Sequence, residues 1–194
     1  MKTILLILLS ISASAQVYIP DNVFKFYLLK DKEINTTDDL EISYEEAEAY
    51  TGEIHLGNSQ VADMTGIEAF SSVTFLDCSN NDLTEIDIST CYGLEELWVY
   101  NNQLTELNVY GLTNLTRIRL DNSPLASVDL SSNTALNEFS CWGNDMLYLD
   151  LRNGNNENMT FFAVGGNPNL CIAVDDTAYA NANWSEFKDS TARF

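Results

Sequence analysis

The sequence predicts a mostly β solenoid of the α+β class, a right-handed coil whose parallel sheet lies on its concave face. The first observation is an apolar pattern that recurs every 21 residues in the middle of the chain. The second is that apolar and polar residues alternate within each repeat, which is typical of a strand with one buried face. The third is a group of helix-capping residues before the repeats, which predicts a small helical N-terminal cap.

The repeats are clearest in four consecutive rows, which begin at Val73, Leu94, Leu115 and Leu136. Each row fits the pattern L-x-x-L-x-L-x-x-N-x-L-x-x-L-x-L, and weaker rows precede and follow the four. The fourth and sixth positions, Leu97 and Val99 in the second row, predict a short strand. The strands of successive coils are expected to pair in parallel at a spacing of about 4.8 Å.

An asparagine follows the strand in most rows, where the turn directs backbone groups toward the interior. A buried asparagine amide can donate to and accept from such groups, so we expect a structural ladder formed by Asn81, Asn102, Asn144 and Asn167. Ser123 interrupts the series beside Pro124, which predicts a local irregularity. A second apolar pair in each row predicts an extended return side at Ile86/Ile88, Leu107/Val109, Val128/Leu130 and Leu149/Leu151.

The predicted domain organisation has four parts. Residues 1–15 have the charge, apolar core and small-residue cleavage site of a signal peptide, which predicts export and a secreted or cell-surface protein. Residues 16–51 form the N-terminal helical cap, with Asp21 starting one helix and Ser43 and Glu46 forming the capping box of another. Residues 52–170 carry the repeats. Residues 171–194 form a C-terminal cap with a short helix over Asp176–Trp184.

The row pattern resembles that of leucine-rich-repeat proteins, and the general architecture is internalin-like. A narrower resemblance to secreted bacterial members rests on IPDNVFKFYL at 19–28, TGIEAF at 65–70 and NPNLCIAVDDTAYANANW at 167–184. The resemblance implies a repeat solenoid. Members of that group often continue into a sorting domain, and this sequence stops at Phe194 without one. Two expectations follow, a short free form and a truncated reading frame.

Composition excludes several classes of partner. The 194 residues include 9 Lys and Arg against 29 Asp and Glu, a formal net charge of -20. Such a surface repels nucleic acid and anionic lipid, so neither is expected as a partner. The hydrophobic content of 45% is sufficient for a folded core, and after the signal peptide we expect no membrane insertion. The protein is expected to be a monomer.

The sequence contains no motif for enzymatic chemistry. It lacks G-x-S-x-G, a glycine-rich phosphate loop and a pair of histidines, so we predict a non-catalytic protein without a cofactor. One calcium candidate stands out in the cap. Asn35, Thr37, Asp39 and Glu46 fall at ligand positions 1, 3, 5 and 12 of a calcium loop, but Leu40 replaces the glycine of the sharp turn. The alternative is a cap loop with solvated carboxylates.

The four cysteines do not predict disulfides, although the chain is expected to be exported. Cys78 and Cys141 occupy the same inward position three coils apart, at about 14 Å, which is too far for a bond. Cys91 lies at a different corner of its coil, and Cys171 has no cysteine downstream. We interpret the inward pair as small core residues.

The candidate binding surface is the outward side of the predicted strands. The candidate ligand-binding residues on this side are Phe75, Trp98, Tyr100, Arg117, Arg119, Asp121 and Trp142. Trp, Tyr and Arg are enriched at binding hot spots, so these residues favour an extracellular binding module for a protein or a glycan. In the alternative, the aromatic residues cover neighbouring coils and the arginines pair with Glu96, Asp121 or Glu138. The protein is then a structural spacer or a fragment of a larger surface protein, with no ligand of its own.

Overall fold

The computed structural model describes residues 15–194, so residues 1–14 of the predicted signal peptide lie outside the described range. The described part contains short strands of three residues each, three α-helices and three single-turn 3-10 segments. The helices are α1 (Asn22–Lys30), α2 (Tyr44–Ala49) and α3 (Thr177–Asn183). The strands are β1 (Glu53–His55), β2 (Phe75–Asp77), β3 (Glu96–Trp98), β4 (Arg117–Arg119), β5 (Ser127–Asp129), β6 (Glu138–Ser140), β7 (Tyr148–Asp150), β8 (Phe161–Ala163) and β9 (Cys171–Ala173).

The strands form two sheets in which every pair is parallel. The larger sheet has the order β1-β2-β3-β4-β6-β8, and the smaller sheet has the order β5-β7-β9. The register joins equivalent positions of successive coils, as in Leu76 opposite Leu97 and Leu97 opposite Ile118. This arrangement is a parallel-strand solenoid, and it confirms the fold class that the sequence predicts.

The core runs along the axis of the coil and continues into both caps. The middle residue of each strand in the larger sheet points inward, and Leu97, Ile118 and Phe139 are fully buried. The strand residues on either side are more exposed, which is the alternation that the repeat pattern encodes. Burial of each such side chain contributes about 1.5–3 kcal/mol, so the stacked middle positions supply much of the folding energy.

The return side is only partly as predicted. Val128 and Leu149 lie in the paired strands β5 and β7, whereas Ile86 and Leu107 lie in segments without strand pairing and are only partly buried. We attribute the difference to charge. Glu85 and Glu106 occupy equivalent positions of adjacent coils, and like charges directly opposite each other weaken a ladder.

In the smaller sheet, an arginine compensates the negative charge of two aspartates that face each other. Asp129 lies opposite Asp150 in the β5–β7 pair, but the Arg152 guanidinium donates to both carboxylate oxygens of Asp150, from Nε to Oδ1 at 2.9 Å. This contact, led by the hydrogen bond from Arg152, holds the pKa of the Asp150 carboxyl below its usual range. The acidic pair is therefore partly neutralised where the sheet forms.

The N-terminal cap is built on two side-chain capping interactions. The Asp21 carboxylate accepts from the backbone N–H groups of Val23 and Phe24 at 2.8 and 3.0 Å, which fixes the start of α1. Phe24 and Leu28 are buried in the core, whereas Val23 is 41% exposed. Val23 directly precedes Phe24, so its side chain points about 100° away from that of Phe24 around the helix axis.

The C-terminal segment covers the last coil with aromatic rings. α3 begins after Asp176, whose carboxylate accepts from two backbone N–H groups of the first turn. Trp184, at the end of α3, stacks on Phe162 of β8 with 4.6 Å between ring centroids. The open end of the core is therefore shielded from water. Among residues 15–194, no helix is long and apolar enough to cross a membrane.

Candidate binding surface

We call the outward side of the larger sheet the strand face. Strand pairing arranges its side chains in columns that run across the coils. The first column is Glu53, Phe75, Glu96, Arg117, Glu138 and Phe161, and the second is His55, Asp77, Trp98, Arg119, Ser140 and Ala163. A third column just beyond the strands contains Tyr100, Asp121 and Trp142. All seven sequence-predicted binding residues therefore lie on one surface.

Arg117 is engaged within the protein. Its Nε and Nη2 atoms donate to the two carboxylate oxygens of Glu138 at 2.6 and 2.8 Å, and its Nη1 atom donates to Glu96 at 2.8 Å. The hydrogen bond from Arg117 is the main cause that holds the pKa of the Glu138 carboxyl below its usual range. The same contact raises the pKa of Arg117. Arg117 thus fixes three neighbouring coils to one another and has little capacity left for a ligand.

Trp98 lies in a cluster of edge-to-face aromatic rings. Phe75 meets its ring edge-on with 5.0 Å between centroids, and His55 meets Phe75 in the same way at 5.0 Å. The Arg119 guanidinium lies over the Trp98 ring, 5.1 Å from the ring centroid. The sequence predicts a Trp98 that points at solvent, but these neighbours leave it half-buried, and its indole N–H is buried without a partner.

Arg119 differs from Arg117 in its contacts. Within residues 15–194 its guanidinium takes part in no hydrogen bond or ion pair, and it is held only by the face of Trp98. Stacking orients the guanidinium plane and leaves its N–H edges available. Arg119 is therefore the strand-face cation that can bind an anionic or polar group of a ligand.

The third column combines one fixed acid with exposed aromatic rings. An Asp121 carboxylate oxygen accepts from the Trp142 backbone N–H at 2.7 Å and from the Ser140 hydroxyl, so Asp121 orients the segment after β6. The Trp142 side chain is 55% exposed and lies against Gly165, where any side chain would meet the ring. Tyr100 is half-exposed two coils away.

The asparagine ladder lies beneath the turn that follows each strand. The Asn102 side chain accepts from the Leu83 N–H at 3.0 Å and donates to the carbonyls of Cys78 and Val99 at 3.0 and 2.9 Å. Each of these bonds satisfies a buried backbone group, and two of them join adjacent coils. The structure places the other three predicted members in equivalent networks, with contacts to the preceding coil from Asn81, Asn144 and Asn167.

Ser123 leaves this ladder incomplete. Its hydroxyl is buried without a hydrogen-bond partner, and the Leu104 N–H, which corresponds to the bonded Leu83 N–H one coil earlier, makes no bond within the described residues. Serine is too short to reach the groups that an asparagine amide would join.

A second asparagine column, at the surface, was not predicted from the sequence. Asn80, Asn101 and Asn122 have φ values of 54°, 54° and 52°, and their side chains are linked by hydrogen bonds of 2.7 and 2.8 Å. Asparagine tolerates this left-handed backbone better than most residues do. The sequence signal for this column is the Asn-Asn doublet of the first two rows. The first asparagine of each doublet adopts the left-handed turn conformation, and the second belongs to the buried ladder.

The structure does not bring the four calcium candidates together as a ligand set. The Asn35 side-chain oxygen Oδ1 accepts from the Asp39 N–H at 3.2 Å, and an Asp39 carboxylate oxygen accepts from the Glu41 N–H at 2.8 Å. The Glu46 carboxylate accepts five hydrogen bonds, from Thr36, Thr37 and Ser43. These oxygens stabilise the cap loop itself.

The four cysteines are free thiols. Cys78, Cys91 and Cys141 are buried in the coil, whereas Cys171 in β9 is partly exposed. Burial raises the pKa of the Cys91 thiol to about 12 and also raises the pKa of Cys78 and Cys141. The three buried thiols therefore act as small apolar residues.

Comparison with known proteins agrees with this architecture. A family model for Leucine Rich repeats (2 copies) matches residues 71–111. Among solved structures, an internalin, InlF, from Listeria monocytogenes has 18% sequence identity and a TM-score of 0.52, with 84% of this chain and 60% of that chain covered. The repeat match and the structural likeness together show a leucine-rich-repeat solenoid, a fold that this chain shares with the InlF structure.

Two further solved structures are more distant in shape. The functional domain of InlJ from the same organism, described as including a cysteine ladder, has 23% identity and a TM-score of 0.48 over 83% of this chain and 49% of that one. An internalin C2 has 14% identity and a TM-score of 0.35 over 92% and 96%. This chain thus spans about 60% of the InlF structure and half of the InlJ domain. No curated protein sequence matches the chain significantly.

Proposed function

We propose that the protein is a non-catalytic extracellular binding module that recognises a protein or a glycan through its strand face. The observation that carries the proposal is the contrast between the two arginines. Arg117 is fully engaged by Glu96 and Glu138, while Arg119 is oriented by Trp98 and keeps its donors available. An oriented but unpaired guanidinium is suited to a carboxylate or hydroxyl group of a ligand.

The exposed rings supply contact area beside this cation. Trp142 is 55% exposed, and its backbone is fixed by Asp121, so the ring is displayed from a rigid segment. Tyr100 lies in the same column and Arg119 in the neighbouring column. Rigid aromatic residues lose little conformational entropy on binding, which favours recognition.

The strand face itself is held in one conformation. Arg117 clamps three coils, the ladder satisfies the turns, and Phe75 and Trp98 interlock. A surface that is fixed before binding avoids part of the ordering cost that a flexible loop incurs. The acidic remainder of the molecule keeps it soluble and disfavours anionic partners.

The alternative proposal is a structural spacer without a ligand. The intramolecular use of Arg117 and Asp121 favours it, because these two charged residues serve the solenoid itself. The two proposals differ in what the half-buried Arg119 and the exposed Trp142 do, and only the first gives them a ligand.

The experiment is a binding screen of the purified protein against arrayed glycans and extracellular proteins, with a Trp142→Ala/Arg119→Gln variant tested in parallel. Neither side chain supports the core, so the melting temperature should change little. Tyr110→Ala is the matched control, because Tyr110 is 74% exposed and lies outside the strand face. A ligand that the control binds and the double variant loses at least tenfold supports the binding module. Failure to bind any arrayed ligand, or equal binding by both variants, favours the spacer.

A further inference from the structure

The two edge strands of the larger sheet, β1 and β8, differ in whether their outward-facing backbone groups have hydrogen-bond partners. At the β1 edge, the Tyr50 hydroxyl donates to the Glu53 carbonyl at 2.8 Å, and the His55 N–H donates to the Tyr27 hydroxyl at 3.0 Å. Two tyrosine hydroxyls of the N-terminal cap thus satisfy outward-facing backbone groups of β1. Unpaired strand edges are sites where another strand can add, and this edge is blocked.

The β9 edge of the smaller sheet also has a hydrogen-bond partner. The Ile172 N–H of β9 donates to the Arg193 carbonyl at 2.8 Å, and the Arg193 N–H donates to the Leu170 carbonyl at 2.9 Å. A segment near the C-terminal end of the chain therefore continues the pairing for one residue beyond β9.

The β8 edge remains largely open. In a parallel ladder, alternate residues bond to opposite sides. The Phe161 N–H donates to Asn137 and the Ala163 carbonyl accepts from Cys141, so both residues bond toward β6. Phe162, between them, directs its N–H and carbonyl away from the sheet, and within residues 15–194 neither group has a hydrogen-bond partner.

A groove runs beside this open edge, and we call it the edge groove. Its volume is about 350 Å³ and its lining is Met159, Thr160, Phe161, Phe162, Ala163, Tyr179, Asn183, Trp184 and Phe187. None of these residues is charged, although 29 of the 194 residues of the protein are acidic. Phe161 and Phe187 are 45% and 50% exposed at its rim.

A hydrogen bond at the far end of the groove limits the length of strand that could add to β8. The Val164 N–H, the next outward-facing donor after Phe162, is already bonded to the Phe187 carbonyl at 3.1 Å. This contact limits the open stretch to about three residues, or about 10 Å of extended chain. Every strand of the solenoid has that length, so a short added strand matches the existing ladder.

We propose that the edge groove binds an extended, apolar segment of a partner protein, which adds to the larger sheet as a further strand beside β8. The Phe162 N–H and carbonyl provide main-chain hydrogen bonds, and Phe161 and Phe187 contact alternate side chains of the segment. The uncharged lining selects apolar over charged segments, because a charged side chain would lose its hydration there without a partner. The site does not include Arg119 or Trp142, on which the proposed function rests, although Phe161 also belongs to the first column of the strand face.

The test begins with a phage-displayed library of random linear peptides selected on the immobilised protein. A selected peptide is synthesised with a fluorophore, and its affinity is measured by anisotropy for the wild type and for Phe161→Ala and Phe187→Ala. We expect each variant to weaken binding at least fivefold. Tyr110→Ala is the control and should bind as the wild type does, and Trp142→Ala shows whether the peptide binds the strand-face site instead.

Two further measurements separate strand addition from simple apolar contact. N-methylation of the peptide should reduce affinity at least tenfold at amides that face β8, and should have little effect at the amides between them. The Phe162 amide should exchange its hydrogen at least tenfold more slowly in the complex.

Four outcomes overturn the proposal. These are the absence of any selected peptide, binding that survives both Phe variants, binding that depends on Trp142, and an N-methyl scan without alternation. A dimer of the protein that Phe187→Ala dissociates would replace the partner segment with a second copy of this chain.

Discussion

Replacement of Glu46 by glutamine tests how the N-terminal cap is stabilised. The Glu46 carboxylate is buried to 6% exposure and joins the start of α2 to the preceding loop, through Ser43 on one oxygen and Thr36 and Thr37 on the other. Glutamine keeps the shape of the side chain but replaces one acceptor oxygen with an NH₂ group, which faces existing donors.

The magnitude follows from the pKa of the carboxyl. Burial alone would raise this pKa, but the hydrogen bonds from Ser43 and Thr37 outweigh burial and lower it from 4.5 to about 2. The difference corresponds to about 3 kcal/mol, and screening by nearby solvent reduces our expectation to about 2 kcal/mol. Because the pKa is lower in the folded state, this stability is present above pH 4.5 and is lost as the pH falls through about 2.

The assay is urea unfolding followed by far-UV circular dichroism at several pH values between 7 and 2. Glu46→Gln should be about 2 kcal/mol less stable than the wild type at pH 7, and the two proteins should converge toward pH 2. Glu48→Gln is the control, because Glu48 is exposed on the same helix, and it should follow the wild type. A Glu46→Gln deficit that is the same at pH 2 and pH 7 would refute this account of the cap.

The remaining predictions concern the ladder and the thiols. Asn102→Ala should cost about 3 kcal/mol in urea unfolding, since it leaves three buried backbone groups without partners, while Asn114→Ala, at an exposed position, should cost less than 1 kcal/mol. Ser123→Asn should raise stability by about 1 kcal/mol, because its amide oxygen can accept from the Leu104 N–H of the preceding coil; a lower melting temperature would contradict this. A thiol reagent should modify one cysteine, Cys171, in the native protein and all four in denaturant, and rapid native labelling of Cys91 would contradict the buried assignment.

The fold was predictable because the same apolar pattern recurs in every coil of the solenoid. Leu97 and Ile118 occupy the same position of successive rows, so a misread row is corrected by its neighbours. The helix starts at Asp21 and Ser43 were also accessible, because capping depends on a few adjacent residues. These features are local or periodic, and a single sequence carries both kinds of information.

The return side shows where periodicity fails. Ile86 and Val128 look equivalent in the rows, yet only Val128 lies in a strand. The residues that precede the apolar position differ: Glu85 and Glu106 are both acidic, whereas Ser127 and Tyr148, which pair in β5 and β7, are uncharged. Such contacts between coils are too weak individually to leave a mark on the pattern.

The binding surface could be located from the sequence but not resolved into free and engaged residues. Period-2 alternation places Arg117 and Arg119 on one face, and it makes them look alike. Their difference comes from neighbours 21 residues away on either side. Glu96 and Glu138 flank Arg117, whereas Trp98 and Ser140 flank Arg119. The register between coils was needed to see this.

Recognition by a rigid repeat should occur where hydrogen-bonding capacity is left unmet, because a solenoid cannot rearrange its backbone to create new sites. Most polar groups near the core already have partners, as Asn102 and Glu46 illustrate. Within residues 15–194, the Arg119 guanidinium and the Phe162 main chain are outward-facing exceptions. The Arg119 guanidinium is oriented by a ring but bonded to nothing in the described part of the chain, and the Phe162 main chain faces an uncharged groove. One is suited to a polar group and the other to an extended segment, so a ligand that reached both would combine a side-chain contact with strand addition. Variants at Arg119 and Phe187 would then weaken its binding together, whereas separate ligands would respond to one variant each.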